Sequence, residues 1–597
     1  MISLYKRIKK KQNERSLYMF KDKLFQLLIY QLVTKGLLLA SLVILRTIAG
    51  SILWVAGKPA ITSSDIPFLM RTWQGWLLLA IALTGLFIYT IFDINVMILL
   101  SRNVLYSQNK KINTIVYEAF MAAKKLLRPK GILVILYISF LVPVCGASFG
   151  ISLTYSFVVP DFVLSVITGT NLRTIIYYTL LILLAILGLY RIFTFHYMIL
   201  KGQSVNEALV SSVNLIKNHK KSIAWRYFGF LLRTGLVLVA IFTIFGLIPY
   251  VILETINPPQ QIYRFFLLAI VLTTTLADGI YGLLFLSFQF MRLTQIFDGY
   301  ECPELVVSVD KKKSSIKVIL ISIVVVALIC VASGIGSLAF DGFFPTETST
   351  KIIAHRGGGN MSTENTLESI KTAIDKKIYA SEIDVQRTRD GHYIVHHDTN
   401  FYRLYGHRGR PEDMSLDEVK KLTMKTDDGH IVHPSTLEEM LDIAKGKIRL
   451  YIELKGRTAD RKMVEDTYMM VKSKGMLGQC AFISLDYDII NYMESHHPDA
   501  ETIYLCYYSF GDIGRLNADG IGLEAEAATD SNIRKIHKYG KRVDVWTCNM
   551  HNIIVQFLLS NVDGIITDEV ETAKYIKETL KDSSDLNRVM NWLRPES

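Results

Sequence analysis

Between His355 and Asp398 the chain offers two carboxylates two residues apart, Glu382 and Asp384, a histidine near each end, His355 and His397, and Arg356 beside a run of three glycines. Farther on, Glu453 adds a third carboxylate and Lys455 a cation two residues later. Carboxylates that converge on one face repel unless something neutralises them. A hard divalent cation does so, and carboxylate oxygens suit Ca²⁺ or Mg²⁺. Imidazole titrates near neutral pH and can take or give a proton. Three acids for a metal, two basic side chains for a phosphate and two imidazoles together suit metal-assisted attack on a phosphate ester.

These groups need strands to hold them. The apolar run Ile352-Ile353-Ala354, the glycines and a helical stretch over 366–378 predict strand, loop and helix, so that His355 and Arg356 stand at a strand's C-terminal end. Side chains alternate along a strand, so a strand over 381–386 places Glu382 and Asp384 on one face, and one over 449–454 leads Glu453 and Lys455 out together. Further strands are predicted over 351–354, 481–485, 502–507, 520–524, 542–547 and 564–567. Eight strands separated by helical stretches predict a parallel sheet closed into an α/β (β/α)8 TIM barrel, in which chemistry gathers at the strands' C-terminal ends.

The ordered motifs His355-Arg356-Gly357, Glu364-Asn365-Thr366, Glu382-Ile383-Asp384, His397-Asp398, Glu453-Leu454-Lys455 and the Trp-containing strand Val543 to Thr547 resemble the glycerophosphodiester phosphodiesterase family, in the form with an N-terminal multi-span membrane domain. The resemblance covers about 250 residues, the usual size of such a barrel. One departure is Thr363, where the family usually has proline. The resemblance implies Glu382, Asp384 and Glu453 as ligands of a divalent metal, Ca²⁺ or Mg²⁺. It implies Arg356 and Lys455 as phosphate binders and His355 and His397 as the acid–base pair. The family reaction releases an alcohol and sn-glycerol 3-phosphate, and an insertion such as 392–434 forms a small lobe over the site.

Other residues carry weaker signals. Trp546 serves equally as barrel packing or as an apolar wall for substrate. Alternation puts His396 on the face opposite His397, which makes it structural. Glu364 and Asn365 fix the loop and orient a neighbouring group, while the glycine run reads as a flexible turn. His407, His430, His433, His496, His497, His537 and His551 read as ordinary exposed residues.

The chain has 597 residues, half of them apolar, which is too long for one domain and too apolar for an ordinary soluble protein. Before residue 345 there are 33 Lys and Arg against 14 Asp and Glu, a balance of +19. From 345 onward 33 against 40 gives −7. The basic excess belongs to the membrane half and argues against nucleic acid as a partner. Six scattered cysteines form neither a zinc motif nor a disulfide framework.

Domains are expected at 1–344, a multi-span α-helical membrane domain, and 345–597, the barrel. Apolar runs near 31–56, 76–100, 132–158, 174–200, 227–251, 265–290 and 318–340 are long enough to span a bilayer, which takes roughly 20 residues each. Amphipathic segments at 115–127 and 205–216 are expected along the membrane face. Lys and Arg cluster in alternate connections, which predicts a multi-pass cell-membrane protein with a cytoplasmic N-terminus and an extracellular catalytic domain. The bilayer and a glycerophosphodiester are the expected partners, whether a headgroup diester or a polyglycerolphosphate polymer. The competing readings are a lysophospholipase D-like enzyme acting on intact lipid, and a transporter or receptor whose barrel only binds ligand.

Overall fold

The computed structural model describes residues 27–106, 110–123, 171–303 and 316–593, apart from positions 35, 37–39, 42, 427 and 428. The chain forms two compact units. One comprises helices drawn from residues up to 340; the other joins Gly50–Trp76 to the chain from Asp341 onward.

In the helical unit, Asn171–Leu200, Val205–Ile256, Gln260–Glu301 and Ile321–Leu338 are each long and apolar enough to cross a membrane. They coincide with the spans predicted at 174–200, 227–251, 265–290 and 318–340. The pair Ser63–Arg71 and Trp73–Gly85, bent by 100°, passes the same test jointly, and Val43–Val55 is a shorter apolar helix within the span predicted at 31–56. The span predicted at 132–158 lies outside the described residues. The segment at 205–216 is helical as expected but runs into the following span as one element, with a break in helical geometry at His219. Leu172, Ile182, Leu183 and Leu189 are more than half exposed, the outward apolar surface of a helix solvated by lipid.

In the other unit, strands are numbered in chain order: β1 (Ala60–Thr62), β2 (Lys351–Ala354), β3 (Ala380–Arg387), β4 (Tyr393–Val395), β5 (Met424–Lys425), β6 (Ile431–Val432), β7 (Arg449–Leu454), β8 (Cys480–Ser484), β9 (Glu501–Cys506), β10 (Ser509–Gly511), β11 (Gly520–Glu524), β12 (Arg542–Trp546) and β13 (Gly564–Thr567). Eight of them form a parallel barrel in the order β2-β13-β12-β11-β9-β8-β7-β3, closed by pairing of β2 with β3. β4 runs antiparallel along β3. All eight predicted strands are present, with ends within a residue of those predicted.

Alternation sorts their side chains into two cores. Ile353, Ala380, Tyr451, Ile483, Ile503 and Trp546 fill the barrel. Ile352, Ile383, Val385, Ile452 and Val545 face outward into the packing of the surrounding helices. Inward residues continue past the interior layer as chemistry: His355 follows Ile353 by two, Glu382 follows Ala380, and Glu453 follows Tyr451.

The insertion predicted as a lobe folds as one. β5 and β6 form a hairpin, and Ile394, Phe401, Met414 and Val419 make a small core. The stretch from Asp341 is tied down: Arg588 donates to the Phe344 carbonyl at 2.8 Å and pairs with Asp341 at 2.7 Å.

Candidate active site

β3 and β7 lie side by side in parallel, with Asp384 opposite Glu453. That register gathers the inward carboxylates of Glu382, Asp384 and Glu453, whose oxygens lie within 4.8 Å of one another in a buried cluster. The Lys455 ammonium is the neighbouring positive charge, 2.8 Å from Asp384 Oδ1 and 3.2 Å from Glu453 Oε2. One ammonium cannot balance three acids. Burial and the charge of Asp384 push Glu382 up to about 8, and burial raises Glu453 against the pull of Lys455. Asp384 is held well below the usual range: burial opposes its charge, but Lys455, His397 and Arg356 outweigh it. Glu382 Oε1 is buried with no hydrogen-bond partner. An orphaned carboxylate oxygen in an all-oxygen donor set fits a hard divalent cation such as Ca²⁺ or Mg²⁺.

His355 stands one residue beyond β2. Its Nδ1 is 2.8 Å from Asp568 Oδ1, and its Nε2 is 3.9 Å from Glu382 Oε2. Burial pulls its pKa down, but the hydrogen bond and charge of Asp568, with the charge of Glu382, carry it above the ordinary histidine value. Asn549 fixes Asp568 in turn, donating to Oδ2 at 2.6 Å and accepting from its N–H at 2.9 Å.

His397 sits on the turn that leaves β4, with Nδ1 2.9 Å from Asp398 Oδ1. Burial lowers its pKa, against the charge of Asp384 and the Asp398 bond. The turn is anchored from β3: Gln386 Nε2 donates to the carbonyls of His396 and Asp398 at 2.6 and 2.9 Å. His396 is buried, bonded through Nε2 to the Asn400 carbonyl and stacked on Phe401, as the structural role predicted.

The backbone of Arg356 donates to Glu382 Oε2 at 2.8 Å, while its guanidinium reaches Glu364 at 3.2 Å and keeps a buried Nε without a partner. Arg403, from the lobe, clamps Glu364 and Asp398 together, with bonds of 2.8 and 2.7 Å. Asn365 bonds Asp384 twice, side chain to side chain at 2.8 Å and side chain to backbone at 3.3 Å. Arg356 and Asn365 both have positive φ, +50° and +56°. Non-glycine residues held there are strained, and such strain concentrates where the surroundings over-determine the backbone.

The glycines correct the flexible-turn expectation. At Gly357, with φ +95°, a Cβ would stand 2.0 Å from Ser369 Oγ; at Gly359 one would stand 2.4 Å from the Asp568 carbonyl oxygen. The loop is tightly packed. Trp546 lies in the barrel interior, and its Nε1 donates to the Gly522 carbonyl at 3.0 Å. Among the histidines expected to be exposed, His497 and His537 are half-buried and paired with Glu465 and Asp563.

The structure therefore brings His355, Arg356, Glu382, Asp384, His397, Glu453 and Lys455 to one end of the barrel. It adds Asp568, Asn549, Gln386 and Arg403, which the sequence reading did not single out. Asp568 had a signal, since it directly follows the last barrel strand.

Residues 355–572 match the model of the glycerophosphoryl diester phosphodiesterase family, and residues 14–333 match the model of the membrane domain of glycerophosphoryl diester phosphodiesterase. A glycerophosphodiester phosphodiesterase of Caldanaerobacter subterraneus is 26% identical over 37% of this chain and 96% of its own length. One from Bacillus subtilis is 26% identical over 38% of this chain and 86% of its own length. Among solved structures, an Oleispira antarctica phosphodiesterase in complex with the product sn-glycerol-3-phosphate is 21% identical over 40% of this chain and 98% of that one, with a TM-score of 0.35.

Proposed function

The chain belongs to the glycerophosphoryl diester phosphodiesterase family, in the form with an N-terminal membrane domain, and from that premise we propose that it hydrolyses glycerophosphodiesters to an alcohol and sn-glycerol 3-phosphate at the site above. The observation that carries this reading is the buried triad of Glu382, Asp384 and Glu453 with an orphaned oxygen, flanked by two histidines each oriented by an aspartate. These three acids would hold Ca²⁺ or Mg²⁺, which when bound withdraws electron density from a phosphoryl oxygen.

The chain's own groups do the rest. Arg356 offers its unpartnered Nε to a phosphate oxygen, and Lys455 supplies a second positive charge beside it. One imidazole of the pair His355 and His397 takes a proton from the attacking oxygen, that of water or of the substrate's own glycerol hydroxyl, and the other gives one to the departing alcohol oxygen; after attack by the glycerol hydroxyl, water opens the cyclic phosphate in a second step. Asp568 and Asp398 hold the rings by Nδ1 and leave Nε2 for the exchange, the orienting role a carboxylate plays behind a catalytic histidine. Trp546 contributes to the site as the packed floor of the barrel. The proposed domains are a membrane domain over 1–344, whose segment Gly50–Trp76 packs with the barrel's unit, and a catalytic domain over 345–597.

Alternate clustering of Lys and Arg supports a cytoplasmic N-terminus, seven crossings and an extracellular barrel. A barrel that merely captures ligand would tolerate loss of the triad or of a histidine, and all five groups are present together.

Full-length protein in detergent should hydrolyse glycerophosphocholine and glycerophosphoethanolamine. Chelation should abolish turnover, and Ca²⁺ or Mg²⁺ should restore it. Glu382→Ala and His397→Ala should each lower kcat by at least about 100-fold. Faster release from lysophospholipid or polyglycerolphosphate than from either headgroup diester would move the assignment to that substrate. Turnover that survives both chelation and Glu382→Ala would overturn it.

A further inference from the structure

Residues 57–72 connect the first two predicted spans, yet they belong to the barrel's unit. β1 pairs antiparallel with β10, Ala60 opposite Gly511, Ile61 opposite Phe510 and Thr62 opposite Ser509. All three β1 residues are buried. The approach requires Gly511, whose φ is +112° and where a Cβ would stand 2.7 Å from the Pro59 carbonyl oxygen. Beyond the ladder, the Tyr504 hydroxyl donates to Thr62 Oγ1 at 2.8 Å, and the Ser64 hydroxyl donates to the Leu485 carbonyl at 2.9 Å. Asp65 accepts from the Thr62 N–H at 2.8 Å and from Lys58 Nζ, which folds the segment into a fixed turn.

That turn is one side of a cleft of about 630 Å³ whose other side carries Glu453 and Lys455. Clefts of roughly 300–1,000 Å³ hold ligands of drug size, so this space exceeds what a glycerol phosphate fills. Pro67 and Phe68 of the segment face into it, as does Tyr487 from the barrel.

We infer that residues 57–72 are a wall of the substrate cleft and touch the organic group that the diester carries beyond its phosphate. Phe68 and Pro67 supply apolar surface, and the Lys58–Asp65 pair fixes its position. The inference rests on the diesterase reading above. Charged groups around Lys455 serve the phosphate common to every substrate, so the wall is where one substrate is told from another. Ile66, Met70, Trp73 and Trp76 are each more than half exposed, and Trp with apolar neighbours settles at the headgroup level of a bilayer. The same diester chemistry can therefore reach the cleft from solution or from a lysophospholipid in the membrane.

The test uses full-length protein in phosphatidylcholine vesicles. Three substrates are compared: glycerophosphocholine, glycerophosphoethanolamine and lysophosphatidylethanolamine carried in the vesicles. Phe68→Ala should raise KM about tenfold for the substrates whose organic group reaches the wall, with kcat within about twofold, so that kcat/KM ratios among the three change. A larger effect on the vesicle-borne substrate identifies the bilayer as the source, and a larger effect on the headgroup diesters identifies solution. Separately, Thr62→Cys with Ser509→Cys should form a disulfide, detected as a linked peptide by mass spectrometry, because opposed residues of an antiparallel pair lie within bridging distance. Failure to link, or an equal change in kcat/KM for all three substrates, overturns the wall alone. No turnover by the unmutated protein overturns the diesterase reading and this inference with it.

Discussion

His355 is gripped from both sides of its ring, by Asp568 at Nδ1 and by the neighbouring charge of Glu382. Because Asp568 is what lifts this histidine above its ordinary pKa, Asp568→Asn should lower it. A raised histidine keeps its proton to higher pH, so loss of the carboxylate moves the His355 limb of the pH–rate profile toward acid. A limb that stays in place would show that another group titrates there. Gln386 makes a different case, since it touches the carbonyls beneath His397 rather than the ring. Gln386→Ala should lower kcat with KM nearly unchanged, by about tenfold, and glycerophosphocholine kinetics would show it. Gln386 does not stand out in the sequence, and Asp568 is marked only by following the last barrel strand directly. A glutamine two positions beyond Asp384 is chemically silent until the return of β4 beside β3 places the His396–Asp398 turn above it. Asp568 acts only once β13 has closed against β2, more than two hundred residues from its histidine.

The loop after β2 shows how an element is fixed by one close approach. Gly357 packs directly on Ser369, in the first turn of the helix Leu367–Asp375, whose start Thr366 caps by accepting from the Ser369 N–H. Gly357→Ala should destabilise the barrel by about 1–3 kcal/mol through positive φ and steric conflict, read as a fall in denaturant midpoint. Thr366→Val, which removes the cap and the hydroxyl's bond to the Thr363 carbonyl, should cost about 1–2 kcal/mol. The barrel strands were legible because parallel strands buried on both faces are written as short β-branched apolar runs bounded by turn residues. Ser381 to Gln386 is instructive: its carboxylates interrupt the run at alternate positions, and that interruption marks the site. The glycine loop was misread as flexible because a glycine required by packing and one present for freedom look alike until the neighbouring helix is in place.

At the scale of the whole molecule, four of the spans predicted from hydropathy have matching helices among the described residues. Ala60-Ile61-Thr62 escaped notice because three residues between two apolar runs carry no periodicity, and the partner strand lies some 450 positions later. A fragment beginning at residue 345 would leave β10 without its neighbour and the Tyr504 hydroxyl without Thr62. Such a fragment should unfold at lower denaturant than the intact protein, and an unpaired edge favours association with other chains. The β1–β10 ladder also acts as a counting rule. Two segments that share backbone hydrogen bonds occupy the same compartment, so the polypeptide between them must traverse the bilayer an even number of times, as the six spans predicted after residue 72 do. Removing one of those six would send the barrel to the opposite compartment from its own edge strand, whereas removing an adjacent pair would preserve the parity.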